Sequence, residues 1–463
     1  MQSHKEIKAS FLYLVGNLST KAIAFLTIPV FTRLLTTSEY GIVNTYTSWV
    51  QIVTVVMTLS LYNSFRKAYV DHREDFESYC ASSIRLGGLF FIVSTALASL
   101  ILHMVPGSGN RQWMVYCCLV HAYGIFCVAS MSTKYMLQFR YMKRTLYMAL
   151  PNIACALLAL ILLLTHDKDR EFWRIIAYVA VYAVFTAMSL WSTRKEKTNR
   201  AYWKYAVTYS APLVFHGLSL VVLSSSDRIM ITNIAGSSES GIYSLVYNLG
   251  LVASAVITSL EGIWLPWFIR RYNEKEIEKI NEKAVYMIEN VTVVVIGVML
   301  VTPEVLQVMA SEQYWPGKPV IFPVVAASYI MFLYDLAVNV EYQEKATKMI
   351  VLNTTAAAVI NIILNFILIP VFGAVAAAYT TVTAYIFSMV LHYYCAGKFC
   401  RNIFPLKRYV PYYAVVAVCT VISEFTYDIR FAPFRWAAAL LLAAAYLYAM
   451  FRKKRFIAMQ VRL

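Results

Sequence analysis

Charge is what this chain has least of: only 14% of its 463 residues are Asp, Glu, Lys or Arg, against about 25% in soluble globular domains. Long polar connections are missing as well. The longest, Ser64 to Cys80, leaves no room for a soluble catalytic domain. No GxxxxGK[ST] string occurs, so nucleotide hydrolysis lacks its phosphate-cradling loop. The eight cysteines show neither CxxC nor Cys/His ligand spacing and lie mostly within or beside apolar runs. They read as packing thiols, with no metal and no cofactor expected. Low-complexity stretches are absent too, so function must live among apolar segments.

What is there in abundance is apolar sequence. It makes up 60% of the chain, and mean hydropathy is +0.59. A bilayer asks for about 20 apolar residues per spanning helix. Its interior admits only helices or closed barrels, because every backbone polar group must be satisfied internally. The uninterrupted runs here lack the ten-residue alternation of a barrel. An all-α polytopic membrane protein of about fourteen transmembrane helices is expected. The runs fall near 11–35, 41–63, 81–105, 113–137, 146–165, 172–192, 206–235, 241–264, 284–302, 320–340, 350–369, 374–396, 411–427 and 433–451. The first is too long for a signal peptide and lacks a small-residue cleavage site, so it reads as a span.

The net charge of +16 would suit nucleic acid only if it were clustered on one surface. It is distributed by side instead. Thirty of the 41 Lys and Arg fall in alternate connections and the two termini, nine on the opposite side or in span ends facing it, and Lys21 and Arg85 deeper within spans. That asymmetry is the positive-inside pattern. It places both termini in the cytosol, makes the spans even in number, and argues against a nucleic-acid partner.

A repeat with a period of two hundred residues underlies the order of helices. Thr32 recurs as Thr232, and Ser38-Glu39-x-Gly41-Ile42 recurs as Ser238-Glu239-x-Gly241-Ile242. Both copies sit at the turn between two long apolar runs, six spans apart, so they run in the same direction. Parallel repeats of this kind build transporters with a ligand site between the halves. The expected organisation is a six-helix bundle over 1–194, a second over 195–400, and two appended helices with a cytosolic tail over 401–463.

The motifs resemble one family in particular. Ser38-Glu39-Tyr40-Gly41 after Pro29 and Arg33, and the run 210–250 with Asp227, Arg228, Gly241 and Tyr243, are similar to polysaccharide repeat-unit flippases. These belong to the multidrug/oligosaccharidyl-lipid/polysaccharide exporter superfamily. Glu261-Gly-Ile-Trp264-Leu-Pro266-Trp267 looks like the exit of their eighth helix. Lys345-Ala-Thr347-Lys348 followed by 361–385 resembles their Asn-x-x-Leu-Asn…Ile-Pro-x-x-Gly…Ala-Ala…Thr pattern. The departure is Ala374, where a further Gly is usual, and it bears on packing more than on chemistry. The resemblance implies a non-enzymatic flippase of the cytoplasmic membrane. It would move polyprenyl-diphosphate-linked oligosaccharides by alternating access, beside membrane lipids, a polysaccharide polymerase and chain-length machinery.

Charged side chains at membrane depth cost about 2.5–3.5 kcal/mol each even on mild scales, so they mark cavities or partners. Lys21, Arg33, Arg85, His216, Asp227 and Arg228 are the candidate substrate-binding residues; Glu261 and Asp335 are candidates for coupling or gating. Bland uses stand beside each. Arg33, Arg85, Glu261 and Asp335 can snorkel to an interface, His216 can pack between helices, and Asp227 and Arg228, about 100° apart on a helix, cannot share a face. Lys21, mid-span, has neither interface near. Cations suit a diphosphate, whose sugar hydroxyls could not cross hydrocarbon bare. Three other classes remain open. A lipid II-type flippase would share the cations, and a drug/cation antiporter would prefer acidic residues in its cavity. A membrane glycosyltransferase would need an acidic pair that Asp167, Asp169, Glu304 and Glu312 do not form. No residue pattern specifies a coupling ion.

Overall fold

The computed structural model describes residues 23, 25–104, 112–401 and 403–452, and they are helical almost throughout, with no strand. The helices are α1 (Phe25–Leu34), α2 (Thr37–Thr58), α3 (Phe65–Asp71), α4 (Phe76–Met104), α5 (Gln112–Leu137), α6 (Tyr141–Thr165), α7 (Arg170–Ser192) and α8 (Arg200–Ile234). They continue with α9 (Ser237–Gly250), α10 (Val252–Asn273), α11 (Ile277–Met309), α12 (Lys318–Gln343), α13 (Thr347–Phe372), α14 (Ala374–Phe399), α15 (Leu406–Phe425) and α16 (Ala432–Arg452). Eleven helical segments are long and apolar enough to cross a membrane, or twelve when the bent pair around Leu59 is counted as one span. The described part of α1 and the less apolar α15 occupy the remaining two of the fourteen expected runs. The chain is a polytopic all-α membrane protein.

Its outer surface says the same. α4 exposes Leu89, Ile92, Val93, Leu97, Leu100 and Ile101, an apolar face far too large for water and matched to lipid. Prolines inside helices, among them Pro151, Pro212, Pro266, Pro303, Pro323 and Pro370, fit the same solvent, since membrane helices tolerate them.

Contacts divide the chain into two units, 1–241 and 242–463. In the first, α5 packs against α2, α4, α6 and α7, and α8 lies along α2 and α4. Tyr46, Phe65, Tyr79, Phe126, Met131 and Tyr147 belong to one core cluster. α2 begins with a capping box: Thr36 Oγ1 accepts from Glu39 N at 3.2 Å, and Thr36 N donates to Glu39 Oε2 at 2.7 Å, so two of the unpaired helix-end donors are satisfied. It ends where Leu59 and Ser60 take left-handed backbone (φ 48 and 46), and the chain bends by 56° into the segment Leu61–Asp71.

In the second unit α12 is the enclosed helix, packed by α10, α11, α13, α14 and α15, with Tyr329, Phe332 and Leu333 buried. Ala374, Ala376, Ala377, Ala378 and Ala384 of α14 are buried; small residues let membrane helices approach closely. The appended α15 and α16 pack on α11. Arg435 of α16 pairs with Glu304 of α11, and Tyr446 hydrogen-bonds Asn290.

Candidate functional site

The two copies of the repeated turn touch one another. Thr37 Oγ1 lies 2.7 Å from Ser238 Oγ, and Ser38 Oγ lies 2.7 Å from Ser237 Oγ. A Cβ added at Gly41 would run into the carbonyl of Ser237, and one added at Gly241 into the carbonyl of Thr37. Every contact has its reciprocal two hundred residues away, which is the signature of a two-fold relation. Glycine is required at both positions because the backbones themselves meet there.

Below that junction α2 and α8 are joined by hydroxyls. Thr45 Oγ1 is 2.5 Å from Thr232 Oγ1 and 3.4 Å from Ser240 Oγ, while Ser240 Oγ donates to the Arg228 carbonyl at 3.1 Å. Ser225 Oγ donates to Gln51 Oε1 at 3.0 Å. Asp227 and Arg228 are buried on this stretch of α8, and neither lacks a partner. His216, three turns earlier on α8, is half-buried and also partnered.

The remaining candidates separate by what holds them. Arg33 is exposed, and its Nη1 donates to the Pro29 carbonyl at 2.9 Å. Arg85 donates from Nη1 to the Glu196 carbonyl at 2.8 Å and to Thr198 Oγ1 at 2.5 Å, and from Nη2 to the Thr193 carbonyl at 2.9 Å. With Ser78 on the Lys197 carbonyl (2.8 Å) and Ser82 accepting from Asn199 N (3.0 Å), it fastens the turn between α7 and α8 onto α4. Glu261 of α10 and Asp335 of α12 lie close enough to feel one another's charge. Lys21 lies outside the described residues.

Sequence reasoning passed over three buried polar groups. His121 of α5 stacks on Tyr178 (5.3 Å between rings) and meets Tyr46 OH through Nδ1 at 3.3 Å. Glu341 and His392 join α12 to α14 at 3.0 Å, both side chains fully buried, with Tyr334 stacked on the imidazole. Asn361 donates to Thr381 Oγ1 and Asn365 to Asn361 Oδ1, each at 3.3 Å, and Thr380 donates to Asn365. The signal for the last group was present: Asn at i and i+4 within an apolar run puts both amides on one face. Glu341 sits where the apolar run ends, and it looked like the start of a cytosolic connection.

The sequence profile of a family described as polysaccharide biosynthesis protein matches residues 7–271, more than half of the chain. The chain belongs to that family. Among curated relatives, "Lsg locus putative protein 1" of Haemophilus influenzae is 22% identical over 349 residues, covering 73% of this chain and 83% of that one. Among solved structures, one titled lipid II flippase MurJ in an inward closed conformation superposes with a TM-score of 0.70 at 13% identity, over 96% of this chain and 99% of that chain. A multidrug resistance MATE family transporter of the MOP superfamily, outward-facing, gives 0.57 at 13% identity over 86% and 96%. This member of the polysaccharide biosynthesis family therefore has the fold of the exporter superfamily its motifs resemble, and it is a multi-pass membrane protein.

Proposed function

We propose that the protein is a flippase of the cytoplasmic membrane, with both termini cytosolic. It moves polyprenyl-diphosphate-linked oligosaccharide repeat units outward by alternating access for surface polysaccharide synthesis, making and breaking no covalent bond. The observation that carries the reading is the reciprocal contact of the repeated turns in a chain of this family. It supplies a small, separable closure between two like hairpins. Lys21 and Arg33 are the diphosphate contacts in this proposal, since an ammonium and a guanidinium match phosphate oxygens, while Arg85 holds the α7–α8 turn onto α4. The neighbouring carboxyls of Glu261 and Asp335 are the coupling candidates.

The test is a reversible lock. The 2.7 Å approach of Thr37 and Ser238 makes cysteines at these positions well placed to form a disulfide. Oxidised Thr37→Cys/Ser238→Cys protein should stop exporting the repeat unit, and reductant should restore export; either single cysteine should be inert. Export by fully cross-linked protein would end the proposal that this junction opens. Substrate is settled in the same vesicles by offering labelled sugar lipid, lipid II and a cationic dye, of which only the first should move.

A further inference from the structure

Two arginines stand one turn apart at the start of α7, and only one has its charge balanced. Arg170 donates from Nη1 to the Leu34 carbonyl at 2.7 Å and pairs through Nη2 with Asp167 at 2.9 Å. Arg174 is half-buried, and none of the ion pairs among the described residues includes it. Its guanidinium lies 3.6 Å from the ring centre of Phe31 on α1 and 4.9 Å from that of Tyr178. Nη2 donates to Tyr178 OH at 3.1 Å, while Nη1 is buried and meets no acceptor.

The surroundings supply no counter-charge. Phe31 packs with Leu35, Ala159, Leu163 and Ala177, and Tyr178 stacks on His121, whose Nδ1 meets Tyr46 OH. Ring faces attract a cation, but they return less than its lost hydration and leave an N–H unused. A guanidinium held this way is costly in the free protein and becomes favourable once an oxyanion reaches it. Phe31 covers it from the end of α1 that leads into Thr37, a member of the reciprocal junction. Parting that junction moves the end of α1, and with it the ring that lies over Arg174.

We propose that Arg174 is an anion-binding residue of the transport path, masked by Phe31 while the junction is closed and met by a diphosphate oxygen of the cargo when it opens. This rests on the transport reading and adds a cation that reading did not include. The test uses full-length protein in detergent and farnesyl diphosphate, with farnesol as the uncharged control. Arg174→Gln keeps an N–H for Tyr178 and sheds the charge. It should bind farnesyl diphosphate about tenfold more weakly, as loss of one charge-assisted contact does. It should bind farnesol as the parent does and melt no lower than the parent. Arg174→Lys should keep most of the diphosphate affinity. Oxidised Thr37→Cys/Ser238→Cys protein should lose that affinity and regain it on reduction. Unchanged diphosphate affinity in folded Arg174→Gln protein, or cross-linked protein that binds as tightly as reduced, would overturn the assignment and leave the transport reading in place. So would a lower melting temperature with equal loss of farnesol and farnesyl diphosphate, the mark of a packing residue. A parent protein that binds farnesyl diphosphate no better than farnesol would overturn both.

Discussion

The two copies of the repeated turn share Ser-Glu-x-Gly-Ile and differ in how their helices begin and run on. The first starts α2 with the Thr36–Glu39 capping box. The second places Gly236 where Thr36 stands, with φ +100, so backbone freedom replaces a side-chain cap. α2 then runs unbroken for 22 residues, while α9 gives way to α10 at Leu251 after 14. Charge differs more. Two hundred residues beyond Lys21, Arg33 and Arg85 stand Val221, Asn233 and Val285. Buried polar side chains of the second unit include Glu341, His392, Asn361 and Asn365, and also Arg435. Both copies share the contact between the hairpins, while Lys21, Arg33 and Arg85 have no basic counterpart two hundred residues on.

The strongest way to sharpen that contrast is Lys21→Ala. If the first half handles the diphosphate, export of surface polysaccharide should be abolished at normal membrane abundance, with partial export kept by Lys21→Arg because the charge survives. Normal export from well-inserted Lys21→Ala protein would pass the phosphate-contact role to Arg33. A packing lysine would instead show reduced abundance, so both are measured on the same cells.

Next come the glycines, where the copies should behave alike. Gly41→Ala and Gly241→Ala each force backbones apart, and overpacking of this kind costs about 1–3 kcal/mol. Thermal unfolding in detergent should fall by a similar amount for each, and export should fall with it. A large effect from one and none from the other would break the two-fold equivalence of the junction.

Arg85→Ala should act on folding rather than on transport. Charged hydrogen bonds are worth about 1.5–3 kcal/mol each at most, and partial exposure reduces that here. Lower abundance with unchanged export per inserted molecule is the expected pattern, and a quantitative immunoblot beside an export assay reads it. Loss of export at full abundance would return Arg85 to the substrate path.

The smallest effect separates the two caps. Thr36→Ala should cost about 1 kcal/mol, as N-cap losses do, visible as a modest fall in the melting temperature. Gly236→Thr, which copies the first cap into the second turn, should destabilise rather than help, because its backbone is left-handed. Stabilisation by that exchange would mean the two turns are interchangeable.

Much of the fold was legible because apolar runs of spanning length can mean only one thing in a chain so poor in charge. Even the Thr347–Phe372 and Ala374–Phe399 helices were separable, since Gly373 takes φ +68 between them. The break after Gly250 and the bend at Leu59–Ser60 were not legible: neither carries a residue that demands the observed backbone. In the site, the repeat pointed to the turns, and Glu261 with Asp335 were singled out as acids at depth. Their meeting was invisible because seventy-four positions separate them. Arg85's role was hidden for a similar reason: its acceptors are carbonyls, which every residue has and no sequence advertises. Glu341 was missed because helix ends and loop starts look alike from composition.

The reciprocity at Gly41 and Gly241 is that of a symmetric interface. A contact in which residue 37 meets 238 while 38 meets 237 has the form of an interface between two separate, identical subunits, each presenting the same patch to its mate. Within one chain the two patches need not find one another, and the seam has the geometry of such an interface. Gly41 and Gly241 are where it leaves no side chain's width, because each backbone meets the other copy's carbonyl there.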